Sequence, residues 1–308
     1  MKDKNIVLLK RISIIAVLTA AAYAGTFIQI KLPTGDMIHL GNFVMILAAL
    51  LLGGIEGGLV GSLGMGLYDI QFYLNKPTTV IRTFLLKFLV GFLVGYLFRL
   101  VIKKKVKTDH LLIASTVFFL LLFGVSLGFF IVGDKGDLSF KTGLVASVSN
   151  FFFTGKKVGI SLYIPIFSIL FASGMILALV FERKLSTRSK AALFAITIAI
   201  LVNILGEFLL RWALEGFKST VLDNIPDGFA ISLATATSKI PGSLITGFIS
   251  VILATLIYEP IYRGVKDLDS FKDDTLILEE EQELEDNDDI QANKIEEKKA
   301  FWCLLFFV

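Results

Sequence analysis

The residues in this chain that can do chemistry are polar and charged groups set inside or beside apolar runs. Asp69 closes a glycine-rich apolar arm, Lys87 lies within the apolar run 80–100, and Lys239 stands just before the helix-breaking Ile240-Pro241-Gly242. Asn203, Glu207 and Arg211 recur every four residues and share one face of a helix over 191–214. Asp36, His39 and Asn42 gather where a Pro33–Gly35 loop meets the next apolar arm. An ionisable group at the centre of a membrane helix costs about 2.5–3.5 kcal/mol, so it pairs, snorkels or lines a polar path. Each residue therefore has two readings. Glu207 and Arg211 can form a structural ion pair or part of a solute-facing stripe. Lys87 can snorkel or pair with Asp69, and Lys239 can snorkel or hold a solute. Asp36 and Asn42 can cap a helix. The chemistry on offer is hydrogen bonding and charge recognition of a small solute.

Bond-breaking chemistry has no motif. There is no Gly-x-x-x-x-Gly-Lys-Ser/Thr phosphate loop, no His-Glu-x-x-His pair and no nucleophile elbow with a triad. Two histidines, His39 and His110, and one cysteine, Cys303, leave no metal cage and no internal disulfide. No catalytic residue, metal or cofactor is expected.

The elements that must position these groups are membrane helices. The 308 residues are 55% hydrophobic with mean hydropathy +0.76, which indicates a polytopic membrane protein and not a soluble domain. The net charge of +3 conceals an asymmetry: residues 267–308 carry 14 acids and 4 bases, while the body carries 13 acids and 26 bases. Basic loops of this kind set topology and give no sign of nucleic-acid binding. Lys2, Lys4, Lys10 and Arg11 precede the first run and predict a cytoplasmic N-terminus. That run continues to Ile30, long enough to span, so no cleavable signal peptide is expected.

Read in order, spans are expected over 12–30, in a hairpin over 38–69, and over 80–100, 111–132, 158–181, 191–214 and 243–258. The hairpin turns through Gly-Gly-Ile-Glu-Gly-Gly (Gly53 to Gly58), and each arm of about 15 residues reaches only ~23 Å, short of a ~30 Å hydrocarbon core. Glycines along its second arm permit close approach of another backbone. Pro165 is expected to interrupt the span over 158–181. Trp212 can stack on a planar ring or belong to an interfacial aromatic belt. Ala16, Ala20 and Ala24 form a small-residue stripe on the first span, suited to packing another helix. The acidic tail over 267–297 is expected to be disordered or loosely helical. The final eight apolar residues, 301–308, are too short to span.

The hairpin also carries a family likeness. Asp36-Met-Ile-His-Leu-Gly-Asn42, Ala48-Ala-Leu-Leu-Leu-Gly53, Gly57-Gly-Leu-Val-Gly-Ser-Leu-Gly64 and Tyr68-Asp69, in this order and spacing, resemble the S components of energy-coupling-factor (ECF) vitamin transporters, nearest the riboflavin-type branch. The resemblance covers 12–100 and returns more weakly over 203–263. It implies an all-α polytopic membrane protein: a six-helix S-component-like bundle, here with an inserted helical hairpin, about eight spans in all. The division expected is 1–110 for the N-terminal membrane half, 111–189 for the insert, 190–266 for the C-terminal spans and 267–308 for the tail.

The resemblance further implies a subunit that captures a water-soluble vitamin, riboflavin first, from outside a bacterial plasma membrane. Its implied partners are an ECF transmembrane coupling subunit, two cytoplasmic ATPases that hydrolyse the ATP, and membrane lipid. Both termini are expected in the cytoplasm. The implied substrate-binding residues are Asp36, His39, Asn42, Asp69, Lys87, Asn203, Glu207 and Lys239, with Lys239 suited to a polar or anionic substrate group. The alanine stripe is the implied docking face for the coupling subunit, against ordinary packing within the chain. Two other classes stay open at this point. One is a self-sufficient facilitator or ion-coupled permease using Asp69, Lys87, Glu207 and Lys239 as a charge path. The other is an intramembrane enzyme, for which no catalytic constellation is found.

Overall fold

Apolar runs of this length in a membrane have one economical solution, because every backbone N–H and C=O must find a partner within its own segment. The computed structural model describes residues 2–31, 37–104, 106–134, 160–180 and 185–265. Among them are nine α-helices and one two-stranded hairpin. The order is α1 (Lys2–Phe27), β1 (Gln29–Lys31), β2 (Met37–His39), α2 (Gly41–Leu52), α3 (Gly54–Tyr73), α4 (Pro77–Lys103) and α5 (Thr108–Asp134). There follow α6 (Ile160–Val180), α7 (Thr187–Phe217) with a π-helical turn (Lys218–Leu222), α8 (Gly228–Ser238) and α9 (Ile240–Val265). Among the described residues six stretches are long and apolar enough to cross a membrane: Leu8–Phe27, Pro77–Lys103, Thr108–Gly128, Tyr163–Val180, Thr187–Leu222 and Gly228–Val265. With α2 and α3 they account for the eight expected spans. The chain is an all-α, multi-pass membrane protein.

The hairpin arms are unequal, contrary to the expectation of two similar short ones. α2 has 12 residues and α3 has 20. At 1.5 Å per residue α2 is about 18 Å long and α3 about 30 Å. The glycines at 57, 58, 61, 64 and 66 do not shorten α3, because its faces are held between neighbouring helices. α2 is apolar all round and buried accordingly, including Met45, Ile46, Ala48 and Ala49. It runs through the middle of the bundle, against α1, α3, α4 and α9.

The turn between the arms is clamped by two arginines. Gly53 ends α2 at φ 121°, a conformation that side chains with a Cβ rarely adopt. Its lack of a side chain admits the Arg99 guanidinium, 2.7 Å from where a Cβ would stand. Arg99 Nη2 donates to the Leu52 carbonyl at 2.5 Å. From the other side Arg11 Nη2 donates to the same carbonyl at 3.1 Å and to Glu56 Oε1 at 2.7 Å. A carbonyl left open at a helix end is thereby satisfied by groups from α1 and α4.

α3 and α4 form the tightest helix pair. A Cβ on Gly91 would lie 2.5 Å from the Gly57 carbonyl oxygen, so the two backbones are in direct contact. α5 and α6 form a second hairpin that packs on α7 and α9. Phe119 stacks on Phe171 at 5.1 Å, Phe171 meets Phe248 of α9 edge-on at 5.4 Å, and Lys190 Nζ pairs with Asp109 Oδ1 at 2.7 Å. α6 continues through Pro165, where an interruption was expected. Neighbouring helices tolerate such a proline by satisfying freed backbone groups.

Two boundaries also differ from expectation. The first span ends at Phe27, because the next residues pair as β1 and β2 with Gln29 opposite His39 and Lys31 opposite Met37. α7 runs on to Phe217, past the expected end of its span at 214. The residues over 266–308 lie outside the described residues, as does Asp36.

Gly91→Ala is expected to lower stability by about 1–3 kcal/mol through overpacking against backbone that cannot yield. Gly124→Ala, where nothing lies within 4 Å of the new methyl, is expected to be near neutral. Thermal unfolding of the two variants in detergent checks this. Equal effects would remove the case for a close α3–α4 contact.

Candidate substrate-binding site

At one end of the bundle the helices leave a cavity of about 700 Å³. Its wall is made where α1 gives way to the β-hairpin, α2 begins, α3 ends, α4 begins, α7 ends and α9 begins. The opposite end carries the basic stretches around 103–107 and 188–190. The lining is polar on every side. From β2 and α2 come Met37, His39 and Asn42; from α3, Asp69 and Tyr73; from α4, Thr78, Thr79, Arg82, Thr83 and Lys87; from α7, Asn203, Glu207, Arg211 and Glu215; from the α8–α9 junction, Lys239, Ser243 and Thr246.

Seven of the eight residues singled out in the sequence line this one cavity: His39, Asn42, Asp69, Lys87, Asn203, Glu207 and Lys239. They come from six different segments, β2, α2, α3, α4, α7 and the α8–α9 junction, and are 200 positions apart at the extremes, so only tertiary packing unites them.

Several individual roles differ from expectation. Lys87 neither snorkels outward nor takes Asp69 as its hydrogen-bond acceptor. It is half-buried and donates from Nζ to Asn203 Oδ1 at 3.1 Å across the α4–α7 interface. Asp69, 8% exposed, accepts from Thr83 Oγ1 at 2.5 Å through Oδ2. Asn42 does not cap α2, whose N-cap is Leu40 without a side-chain bond. Instead it is buried with Oδ1 unpartnered at the cavity wall. Trp212 stays outside the lining, donating from Nε1 to the Phe229 carbonyl at 3.1 Å and so tying α8 to α7.

The pairing of Glu207 with Arg211 holds at 2.6 Å, but it is half of a larger cluster. Arg82, only 5% exposed, brings Nε to 3.2 Å from Glu207 Oε1, without hydrogen-bond alignment, and Nη1 to 3.7 Å from Glu215 Oε1. Arg211 Nη1 lies 3.6 Å from Glu215 Oε1. Two arginines and two glutamates thus form a neutral square at the end of α4 and α7. Sequence reasoning missed Arg82 and Glu215. The signals were present: Glu215 extends the stripe of Asn203, Glu207 and Arg211 by another four residues. Thr79, Thr83 and Lys87 form a matching stripe on α4, with Thr78 and Arg82 beside it.

His39 sits on β2 outside the membrane helices. Burial first, and the Lys87 charge second, pull its imidazole down to about 3, so it is neutral at physiological pH. Its Nδ1 is buried without a partner at the cavity wall. Its pairing partner on β1, Gln29, is tied to α3 by Nε2, which donates to Tyr68 Oη at 3.0 Å, and Phe27 just before β1 meets Tyr68 edge-on at 5.0 Å.

A polar cavity among apolar helices is the form expected of a solute site. A family model for the S component of ECF-type riboflavin transporters matches residues 7–163, just over half of the chain. The chain belongs to that family. It is a substrate-binding subunit of a vitamin transporter. The matched segment contains α1 to α5 and hence the β-hairpin, the clamped α2–α3 turn and the α4 wall of the cavity. The α7 and α9 walls lie beyond it. No curated relative and no solved structure matches the chain.

Two outcomes follow from this geometry. Arg82→Leu, which leaves two carboxylates against one guanidinium, is expected to cost about 3–5 kcal/mol in unfolding stability. The charge-balanced Arg82→Leu/Glu215→Leu pair should recover a large part of that, and a double variant no better than the single one would refute the cluster. The second outcome concerns pH. The unfolded chain protonates His39 below about 6.5 while the folded chain resists protonation down to about 3. Its contribution to stability is therefore complete above pH 6.5 and lost progressively as pH falls below it. His39→Gln should flatten the melting-temperature profile over that acid range, and an unchanged slope would count against a buried neutral imidazole.

Proposed function

We propose that this S component captures a water-soluble vitamin from outside the cell in the cavity between α2, α3, α4, α7 and α9, and delivers it inward through a membrane coupling protein driven by two cytoplasmic ATPases. Family membership makes riboflavin the first candidate. The observation that carries the reading is the convergence of His39, Asn42, Asp69, Lys87, Asn203, Glu207 and Lys239 on one polar cavity. Asp36 belongs to the same proposal by its position in the sequence, three residues before His39. The cavity end is the outer one on this reading. The basic stretches at the opposite end then lie in the cytoplasm, as does the N-terminus, in keeping with the distribution of Lys and Arg. The C-terminus is cytoplasmic by the same count.

The alanine stripe supports the partner half of the reading. Ala16, Ala20 and Ala24 are all exposed on α1, away from α2 and α3, and leave a smooth helix face open to a second membrane protein. The α5–α6 hairpin lies elsewhere, against α7 and α9, and is read as an addition that leaves the α1 face free.

The test is purification of the full chain in mild detergent, with visible absorbance and mass spectrometry of the extracted ligand. A stoichiometric flavin is the expected result and supports both class and substrate. Another vitamin keeps the class and changes the substrate. An empty protein that binds no vitamin tightly and takes up solute in vesicles without ATP would move the reading to a self-sufficient facilitator.

A further inference from the structure

The head of α2 carries polar atoms that the protein itself does not satisfy. Asn42, in the first turn, is 5% exposed, and its Oδ1 is buried without a hydrogen-bond partner. His39, three residues earlier on β2, has Nδ1 buried and equally unpartnered. Both residues line the cavity. A buried polar atom left open is costly, and native structures keep few of them.

The local structure leaves these positions open. The Leu40 N–H bonds to the Gly25 carbonyl and fixes where α2 begins. A Cβ on Gly41 would lie 3.0 Å from His39 Nδ1 and 2.6 Å from Thr26 Oγ1, so the glycine lets both groups crowd the helix start. The one O–H of Thr26 is already donated to the Ala22 carbonyl at 2.8 Å.

The charged groups of the cavity are occupied with one another. Arg82 and Arg211 face Glu207 and Glu215 across the square described above. Lys87 donates to Asn203 and feels the charges of Glu207 and Asp69. Asp69 accepts from Thr83, Lys218 pairs with Asp223, and Lys239 has a partner of its own. Among the described lining residues the buried acceptors without a partner are therefore neutral, at Asn42 and His39. They call for a polar hydrogen and not for a counter-ion.

An asparagine amide sets an acceptor and a donor side by side. Its complement is a lactam or imide edge, a ring N–H beside a carbonyl. The same corner offers a surface for the ring. Met37 stands two residues from His39 and so on the same face of β2, and Tyr73 Oη points at Met37 Sδ across 3.9 Å. Met37, Met65 and Tyr73 all line the cavity, and thioethers and a phenol ring suit a flat heterocycle.

We propose that Asn42 and His39 are specificity-determining residues that read an uncharged heterocycle: Asn42 pairs through Oδ1 and Nδ2 with a ring N–H beside a carbonyl, and His39 Nδ1 bonds a substrate hydroxyl. A hydroxyl both gives and takes, so it serves Nδ1 in either tautomer of a neutral imidazole. The assignment rests on the binding-subunit reading and deepens it. A flavin carries such an edge at its imide N–H and hydroxyls on its ribityl chain.

The experiment measures binding to the purified full chain in nanodiscs. The probes are riboflavin, its imide N-methyl derivative, and lumiflavin, which keeps the imide but has a methyl group in place of the ribityl chain. Wild type is compared with Asn42→Leu and His39→Leu. Riboflavin is expected to exceed the N-methyl derivative by about tenfold or more. Asn42→Leu should shrink that margin several-fold by weakening riboflavin, and His39→Leu should weaken riboflavin several-fold while leaving lumiflavin nearly unchanged. Without ligand, Asn42→Leu should melt no lower than wild type, because an apolar group of similar size replaces an unsatisfied amide. A lower melting temperature marks a structural amide and overturns the assignment. Equal binding of the N-methyl derivative, or a margin that survives Asn42→Leu, overturns the reading of the imide edge. An equal loss for riboflavin and lumiflavin in His39→Leu overturns the hydroxyl contact. Tight binding of a vitamin without a ring N–H beside a carbonyl, in place of riboflavin, overturns the inference as a whole. All four leave the S-component reading intact. Absence of binding by every vitamin overturns that reading and this inference with it.

Discussion

A charge within a membrane bundle must be paired or kept in contact with water. The end of this molecule is arranged around that constraint. Arg82 and Arg211 hold Glu207 and Glu215 in a compact neutral square, and this fixes α4 against α7 at the height where the cavity opens. The same two helices meet again through Lys87 and Asn203. Removing hydrocarbon from around these groups is what makes a cavity, and the cavity is what makes the groups tolerable.

The opposite requirement operates at the other end of the same helices. There α3 and α4 touch through backbone, with Gly91 against Gly57, and the α2–α3 turn is closed by Arg11 and Arg99 on the Leu52 carbonyl. Close glycine packing joins α3 to α4 there, and at the cavity end the same two helices are tied by Thr83, which donates to Asp69. α2 starts at Gly41 beside the cavity, so Asn42 in its first turn and His39 just before it join the cavity wall.

Membership of the riboflavin-transporter S components accounts for α1 to α5, and the cavity extends beyond that matched portion. Its far wall, from α7 and the α8–α9 junction, supplies Asn203, Glu207, Arg211, Glu215 and Lys239. The scaffold is set by helix packing, whereas the ligand is chosen by a few polar side chains on the wall.

Hydropathy and charge alone determined that this is a multi-pass helical membrane protein, because a ~30 Å apolar core admits no other use for such runs. They also marked Asp69, Lys87 and Glu207 of the cavity lining, since a Lys, Asp or Glu in an apolar run is costly enough to stand out individually. The four-residue spacing of Asn203, Glu207 and Arg211 showed which of them share a face. The rest was decided by tertiary structure. The sequence did not show that Lys87 would meet Asn203 instead of Asp69, because partners 116 positions apart are chosen by which helices touch. Nor did it reveal Arg82 as the centre of the charge square, since a single arginine near a span end reads equally well as a snorkelling side chain. Asn42, a plausible cap by position, became a cavity residue because Leu40 bonds to the Gly25 carbonyl and sets the start of α2 two residues earlier. Local pattern fixes which residues are expensive to bury. Only packing fixes what they are buried against.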